Sequence, residues 1–218
     1  MTSPTPYRDR LAAGQTLAKR LAAHPASTDT LVLALPRGGV PVAAEIAQAL
    51  ALPIDVFVVR KLGLPGNPEL AMGAIASGGV RLLDESLIAT EGIPPRVVEE
   101  VIERETAELQ RRERAYRGDR PAPQLAGRRL ILVDDGVATG YTMRVAVLAL
   151  QQLRPAALTI AIPLGAPDTC ALLRGMVDEF ICPMEPAAFH AVGLWYDHFA
   201  PLTDEQVRDA LNRAVPQL

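Results

Sequence analysis

Short apolar runs in this chain are separated by stretches with helical periodicity, and that alternation restricts the fold more than any other feature. Residues 31–35, 54–59, 128–133, 158–162 and 179–182 read as buried strands. Gly39-Val40-Pro41 opens a helix, with Pro41 in the first turn, where its missing N–H is harmless. Val42, Ala43, Ile46, Ala47 and Leu50 then keep the 3.6-residue period. A second such stretch covers about 142–153. Strands interleaved with helices imply an α/β fold: a mostly parallel sheet with helices on both faces. Ligands of such sheets bind beyond the carboxyl ends of the strands, so the residues just after each strand carry the information.

Other segments fill in the frame. Two Pro and two Gly in residues 62–68 exclude regular structure there, and residues 70–83 suggest a hairpin turning at Gly78-Gly79. Residues 95–117 read as one helix whose charge run is a solvated face, with Glu100–Arg104 and Glu108–Arg112 as stabilising i,i+4 pairs. Thr203 and Gln206 fit a capping box that opens a final helix. Among 218 residues the net charge is −3 and 49% are hydrophobic, which suits a globular protein and argues against disorder and general nucleic-acid binding. Cys170 and Cys182 are too few for a disulfide framework or a zinc site of their own; they are expected to be small buried apolar residues in a reducing compartment. Neither a secretory h-region nor a membrane-length apolar run occurs, so the expected location is cytoplasmic, without membrane contact.

Three loops carry the chemistry. In Leu130-Ile-Leu-Val-Asp134-Asp135-Gly136-Val137-Ala138-Thr139-Gly140-Tyr141-Thr142, a strand ends in paired carboxylates and a short loop enters a helix. The unpaired N–H groups of a helix N-terminus hold phosphate, Gly140 permits close backbone approach, and Thr139 and Thr142 add hydroxyls. The acids suit ribose hydroxyls, directly or through a metal and its water. Asp-Asp-Gly alone is a common turn and Thr a common helix cap, but strand, acids, loop and helix in one order point to function. Pro36-Arg37-Gly38-Gly39 follows the first strand, where two glycines can turn N–H groups toward an anion. Arg60-Lys61 follows the second, where two cations can neutralise a pyrophosphate. Neither a P-loop nor a Gly-x-Gly-x-x-Gly motif is present.

These motifs resemble those of type I phosphoribosyltransferases over about residues 28–165. The resemblance implies that Asp134 and Asp135 contact the ribose hydroxyls of phosphoribosyl pyrophosphate (PRPP). Gly136 and Val137 continue that binding segment, and Ala138, Thr139, Gly140, Tyr141 and Thr142 wrap the 5′-phosphate. It further implies that Arg37, Gly38, Gly39 and Lys61 hold pyrophosphate, that Lys61 and Arg37 are catalytic, and that the Arg37–Gly38 peptide adopts a cis form in some states. Mg2+ is the implied cofactor, with no direct metal ligand assigned beyond an indirect role for Asp134 and Asp135. PRPP and an unidentified base are the implied small-molecule partners, and a homodimer the expected assembly. The chain also resembles a bacterial subgroup with the Pro-Arg-Gly-Gly loop, Arg60-Lys-Leu-Gly-Leu-Pro-Gly-Asn-Pro-Glu69, the long charged helix and Phe189-x-x-Val-Gly-x-x-Tyr-x-x-Phe199.

The chain departs from the family at two places. Ala138 stands where 6-oxopurine members carry an acid, which argues against hypoxanthine or guanine as acceptor, and Gly136 replaces a larger aliphatic residue. The expected organisation is a core over 1–182, with the charged helix inserted, and a hood with a closing helix over 183–218. Five of nine aromatics fall between 180 and 199. Phe189, Trp195, Tyr196 and Phe199 are expected to pack the hood on the core, or else to stack on a planar acceptor. His190 and His198 are too far apart to act as a metal pair. The expected function is transfer of 5-phosphoribosyl from PRPP to a nitrogenous acceptor; the alternative is a non-catalytic PRPP or nucleotide sensor.

Overall fold

The computed structural model describes residues 5–23 and 29–214, with the side chain of Glu69 outside that description. Five parallel strands, β1 (Thr30–Ala34), β2 (Ile54–Val56), β6 (Arg129–Val133), β7 (Ala157–Ala161) and β8 (Glu179–Ile181), form a sheet in the order β2-β1-β6-β7-β8. Every residue of β1 is buried, as a central parallel strand covered on both faces requires. Helices cover both faces. On one side α1 (Arg10–Leu21), α2 (Gly39–Leu50), α4 (Pro95–Arg117) and α7 (Asp204–Ala214) close a core that includes Leu17, Ile46, Ile102 and Leu211. On the other side α5 (Tyr141–Gln152) and α6 (Pro167–Arg174) close a core around Leu33, Leu132, Ala146 and Leu173.

A second sheet, β3 (Val59–Leu64), β4 (Asn67–Ala76) and β5 (Val80–Leu83), is antiparallel in the order β3-β4-β5. A short helix, α3 (Glu85–Thr90), follows it. The single strand expected over 54–59 is therefore two strands in two sheets. The chain changes sheet at Phe57 and Val58, whose N–H groups donate to the Ala34 carbonyl and the Ser77 hydroxyl, each at 2.9 Å. The irregular loop expected over 62–68 is a hairpin. Pro65-Gly66 supplies the turn, Gly66 taking φ +82°, as the third position of a Pro-Gly turn favours. The pairing shifts register around Gly63, where a Cβ would stand 2.7 Å from the Pro68 carbonyl oxygen. The hairpin expected over 70–83 forms, turning through Ser77-Gly78-Gly79.

The charged helix forms over the expected residues, and its buried face is narrow: Val98, Val101, Ile102, Leu109 and Tyr116. Glu108 pairs with Arg112 as expected, at 2.8 Å. Glu100 pairs instead with Arg96 at 2.9 Å, while Arg104 turns to Glu105 at 3.2 Å. Exposed charges choose among near-equal neighbours worth a few tenths of a kcal/mol each, about 0.2–0.5. The capping box at α7 closes in both directions, Thr203 N–H to Gln206 Oε1 at 2.9 Å and Gln206 N–H to Thr203 Oγ1 at 3.2 Å. α1, α3 and α6 carry no signal that the periodicity argument had used. No helix among the described residues is long and apolar enough to cross a membrane.

Candidate active site at the carboxyl edge of the sheet

β1 and β6 are neighbours in parallel register, Ala34 beside Val133, so the loops that follow them leave the sheet side by side. Leu35 N–H continues the ladder onto the Val133 carbonyl at 2.9 Å. Pro36–Gly39 and Asp134–Gly136 therefore face each other. Their closeness explains both glycines: a Cβ on Gly38 would lie 2.1 Å from Asp135 Oδ2, and one on Gly39 would lie 2.6 Å from the Val133 carbonyl oxygen. The cis peptide of this loop is Pro36–Arg37, one bond before the Arg37–Gly38 peptide named by the resemblance.

The two acids have unequal surroundings. Asp135 Oδ2 accepts from Arg10 Nε at 2.8 Å, both side chains being largely buried. Asp134 Oδ1 accepts the Asp135 N–H at 2.8 Å. Burial, and then the neighbouring Asp135 charge, push the Asp134 carboxyl well above its ordinary range. Burial also raises Asp135, but Arg10 opposes that shift. The one guanidinium thus bonds Asp135 and reaches Asp134 only through its charge.

Three further groups brace this edge. The Tyr196 hydroxyl donates to the Asp135 carbonyl at 2.6 Å, and the ring stacks on Phe199 at 4.9 Å. Arg10 lies 3.9 Å over the Phe199 ring and also reaches the Ala200 carbonyl at 3.0 Å. The Thr169 hydroxyl of α6 donates to the Ala138 carbonyl at 2.6 Å. Phe189, Trp195 and Phe199 pack with Tyr196, Tyr7 and Leu164 in a small third core, so these aromatics serve packing. The segment is clasped by the start of the chain: Tyr7 N–H donates to the Trp195 carbonyl and Asp197 N–H to the Tyr7 carbonyl, both at 2.9 Å.

Beyond the acids, Gly136 takes φ +152°, and a Cβ there would come within 2.9 Å of Val192 Cγ1. That contact accounts for glycine where an aliphatic residue was expected. Val137 bridges to Gly165, its N–H donating to the Leu164 carbonyl at 3.1 Å. Gly140 caps α5 in the left-handed region, φ +70°, with no side-chain capping bond. Thr139 and Thr142 are exposed and neither caps the helix. The first-turn N–H groups therefore lack intrahelical acceptors and are oriented for an anion. The Tyr141 hydroxyl donates to the Gly73 carbonyl at 3.3 Å, setting this helix start against the β4 hairpin.

The two cationic candidates make other contacts. Arg37 extends to the C-terminal segment, donating to the Leu202 carbonyl at 2.6 Å, with Asp204 at 3.9 Å. Lys61 lies in β3, opposite Ala74, and lines a cavity of about 600 Å³ between the hairpin and α4. Arg60, in the same cavity, is bound to Glu105, its Nε donating at 3.0 Å. The fold thus brings Gly38 and Gly39 directly against Asp134 and Asp135, while Lys61 lies in the other sheet, on a strand set against α4.

Among known proteins, the chain matches the phosphoribosyl transferase domain family over residues 7–184. The chain belongs to that family. Two curated relatives named "Putative phosphoribosyl transferase", from Mycobacterium tuberculosis strains CDC 1551 / Oshkosh and H37Rv, are each 41% identical over 208 residues, 95% of this chain and 47% of theirs. The chain therefore spans about half the length of these relatives. A crystal structure from Thermus thermophilus is 39% identical, with a TM-score of 0.82, covering 95% of this chain and 98% of that one. The family match starts at Tyr7 and so takes in Arg10, outside the 28–165 stretch that the motifs had delimited. Sequence reasoning missed Arg10, Thr169 and the bond from Tyr196, a residue expected only in the hood's packing or acceptor stacking, to the Asp135 carbonyl. None lies in a motif of the three loops, and each reaches the site only through tertiary packing.

Proposed function

We propose that this protein transfers the 5-phosphoribosyl group of PRPP to a nitrogenous base, releasing pyrophosphate. The observation that carries this reading is the facing pair of loops: two acids against a Gly-Gly turn, beside an uncapped helix N-terminus. The α5 N-terminus and the Thr139 and Thr142 hydroxyls bind the 5′-phosphate, while Asp134 and Asp135 orient the ribose. The backbone at Arg37, Gly38 and Gly39 receives the pyrophosphate, with Lys61 as the catalytic cation that offsets its growing charge. The C1–O bond to pyrophosphate breaks, a C1–N bond to the base forms, and the base gives up its proton to solvent. Arg37 contributes chiefly through its backbone, because its guanidinium is engaged by Leu202 and Asp204.

The residues present fit a hard divalent cation. Asp134 and Asp135 are carboxylates, and carboxylate oxygens are what Mg2+ selects. Asp134 is the side chain that would hold it, since Asp135 already serves Arg10. When bound with PRPP, Mg2+ would neutralise pyrophosphate oxygens. Ala138 leaves the acceptor side without an acid, which favours a base other than a 6-oxopurine.

Isothermal titration with PRPP, with and without Mg2+, tests the reading first. Metal-dependent binding supports it, and pyrophosphate release with one member of a panel of bases completes it. An absence of binding under both conditions overturns it. Binding without release against any base replaces the enzyme with a PRPP sensor.

A further inference from the structure

Cys170 and Cys182 are twelve positions apart, on α6 and just after β8, yet their sulfurs meet at 3.9 Å. A carboxylate oxygen of Glu185 joins them, so that all three donor atoms lie within 4.8 Å of one another. We propose that Cys170, Cys182 and Glu185 form a site for a thiophilic divalent cation of the zinc class. The proposal does not depend on the phosphoribosyl reaction.

Three features carry it. First, the spacing suits a shared metal. Two sulfurs at about 2.3 Å from a tetrahedral zinc lie about 3.8 Å apart, whereas a disulfide needs about 2.05 Å. Second, the third ligand is already oriented. Arg174 donates to Glu185 Oε1 at 2.6 Å and is itself seated 4.9 Å over the Phe180 ring. A ligating carboxylate held by an outer hydrogen bond is the arrangement that tunes metal sites. Third, the charges close. Two thiolates and one carboxylate are balanced by a divalent cation and the Arg174 guanidinium, leaving a neutral cluster. The resting thiols form a chain, Cys170 Sγ to Cys182 Sγ and Cys182 Sγ to the Met184 carbonyl at 3.3 Å. On binding, both S–H protons leave to solvent and the sulfurs turn to the cation. Cys170 is buried, Cys182 is half-buried and Glu185 reaches solvent, which gives the ion a path in. A fourth position is left for water.

The location gives such an ion a structural role. A Cβ on Gly165 would lie 2.5 Å from Cys170 Sγ and 2.7 Å from Val137 Cγ2, so the sulfur sits directly behind the loop that follows the paired acids. Thr169, beside Cys170, holds the Ala138 carbonyl of the same loop. A cation here would tie α6 to the end of β8 and fix that backing.

The test is titration of the full, reduced chain with Co2+ under oxygen-free conditions, read by near-ultraviolet absorption. One saturating equivalent with a thiolate-to-cobalt charge-transfer band is expected, and cobalt bound at the paired aspartates would give no such band. Cys182→Ser, at a half-buried position, is expected to abolish the band while circular dichroism stays native. Glu185→Gln is expected to keep the band and weaken Co2+ at least tenfold. Zn2+ is expected to raise the melting temperature of the wild type and not that of Cys182→Ser. Absence of the band in reduced wild type, its survival in Cys182→Ser, or wild-type affinity in Glu185→Gln would each overturn the three-donor site.

Discussion

Around Asp135 three distant parts of the chain converge, whereas the strand carrying Lys61 is held chiefly by its hairpin partner and α4. The acid is gripped by Arg10 from the start of α1 and by Tyr196 from the C-terminal segment, while Thr169 of α6 fixes the next loop. The hairpin packs Leu62, Leu64 and Met72 in one core with Val98, Val101 and Ile102 of α4, and Arg60 binds Glu105. The first region is over-determined by long-range contacts, the second by local pairing and one apolar face. On the proposed function, long-range contacts would position the ribose and phosphate, while the hairpin and α4 would position the Lys61 cation. Damage to the first region should therefore appear in binding and stability together, and damage to the second in turnover alone.

The largest effect is expected from Asp134→Asn with Asp135→Asn, which should weaken PRPP by 100-fold or more, about 2.7 kcal/mol, with the fold retained. Wild-type affinity by calorimetry would refute the placement of the ribose. Gly38→Ala follows, because its methyl would strike Asp135 Oδ2; binding should fall at least tenfold and stability by about 2 kcal/mol. Lys61→Ala sharpens the contrast most directly. Its kcat should fall about tenfold, about 1.4 kcal/mol, while the PRPP dissociation constant and the melting temperature barely move. A matching loss of stability would erase the distinction between the two regions. Thr169→Val should cost about 1 kcal/mol and weaken PRPP only a few-fold.

The smallest effect is one of pH. Asp134 binds its proton more tightly folded than unfolded, so its contribution to stability is greatest below the unfolded value, near about pH 4, and declines as pH rises through the folded one. Asp134→Asn alone removes that decline and keeps an oxygen for the Asp135 N–H. The variant should unfold at a higher temperature than wild type at pH 7, the gap closing toward pH 4. A constant gap across that range would show that the buried carboxyl is not the cause.

The same contrast explains what could be read from the chain. The parallel sheet was legible because each strand is a short apolar run, and the Asp134–Thr142 loop because strand, acids and helix start adjoin in sequence. The hairpin over 62–68 was hidden because Pro65 and Gly66 mark a turn and a loop alike, and only the pairing of Leu62 with Gly73 decides between them. Arg10 and the contact of Tyr196 with Asp135 were hidden for a different reason. A hydrogen bond between residues 125 or 61 positions apart leaves no periodic trace. The cysteines show the same limit: each alone reads as a small apolar residue, and only the packing of α6 on β8 brings their sulfurs together.

The clasp between Tyr7 and the 195–197 segment has a consequence for how the molecule is made. A chain emerging from the ribosome presents Arg10 well before the acids, but Tyr196 and the Ala200 carbonyl that steady them arrive much later. The central strands can pair long before that point, since β1 and β6 are both out by residue 133. The paired acids then lack the Tyr196 brace until about 60 further residues have followed. The bracing of the paired acids is thus complete only once residues 196–200 have been made, and a nascent chain stalled before them would carry paired central strands beside an unfinished candidate pocket.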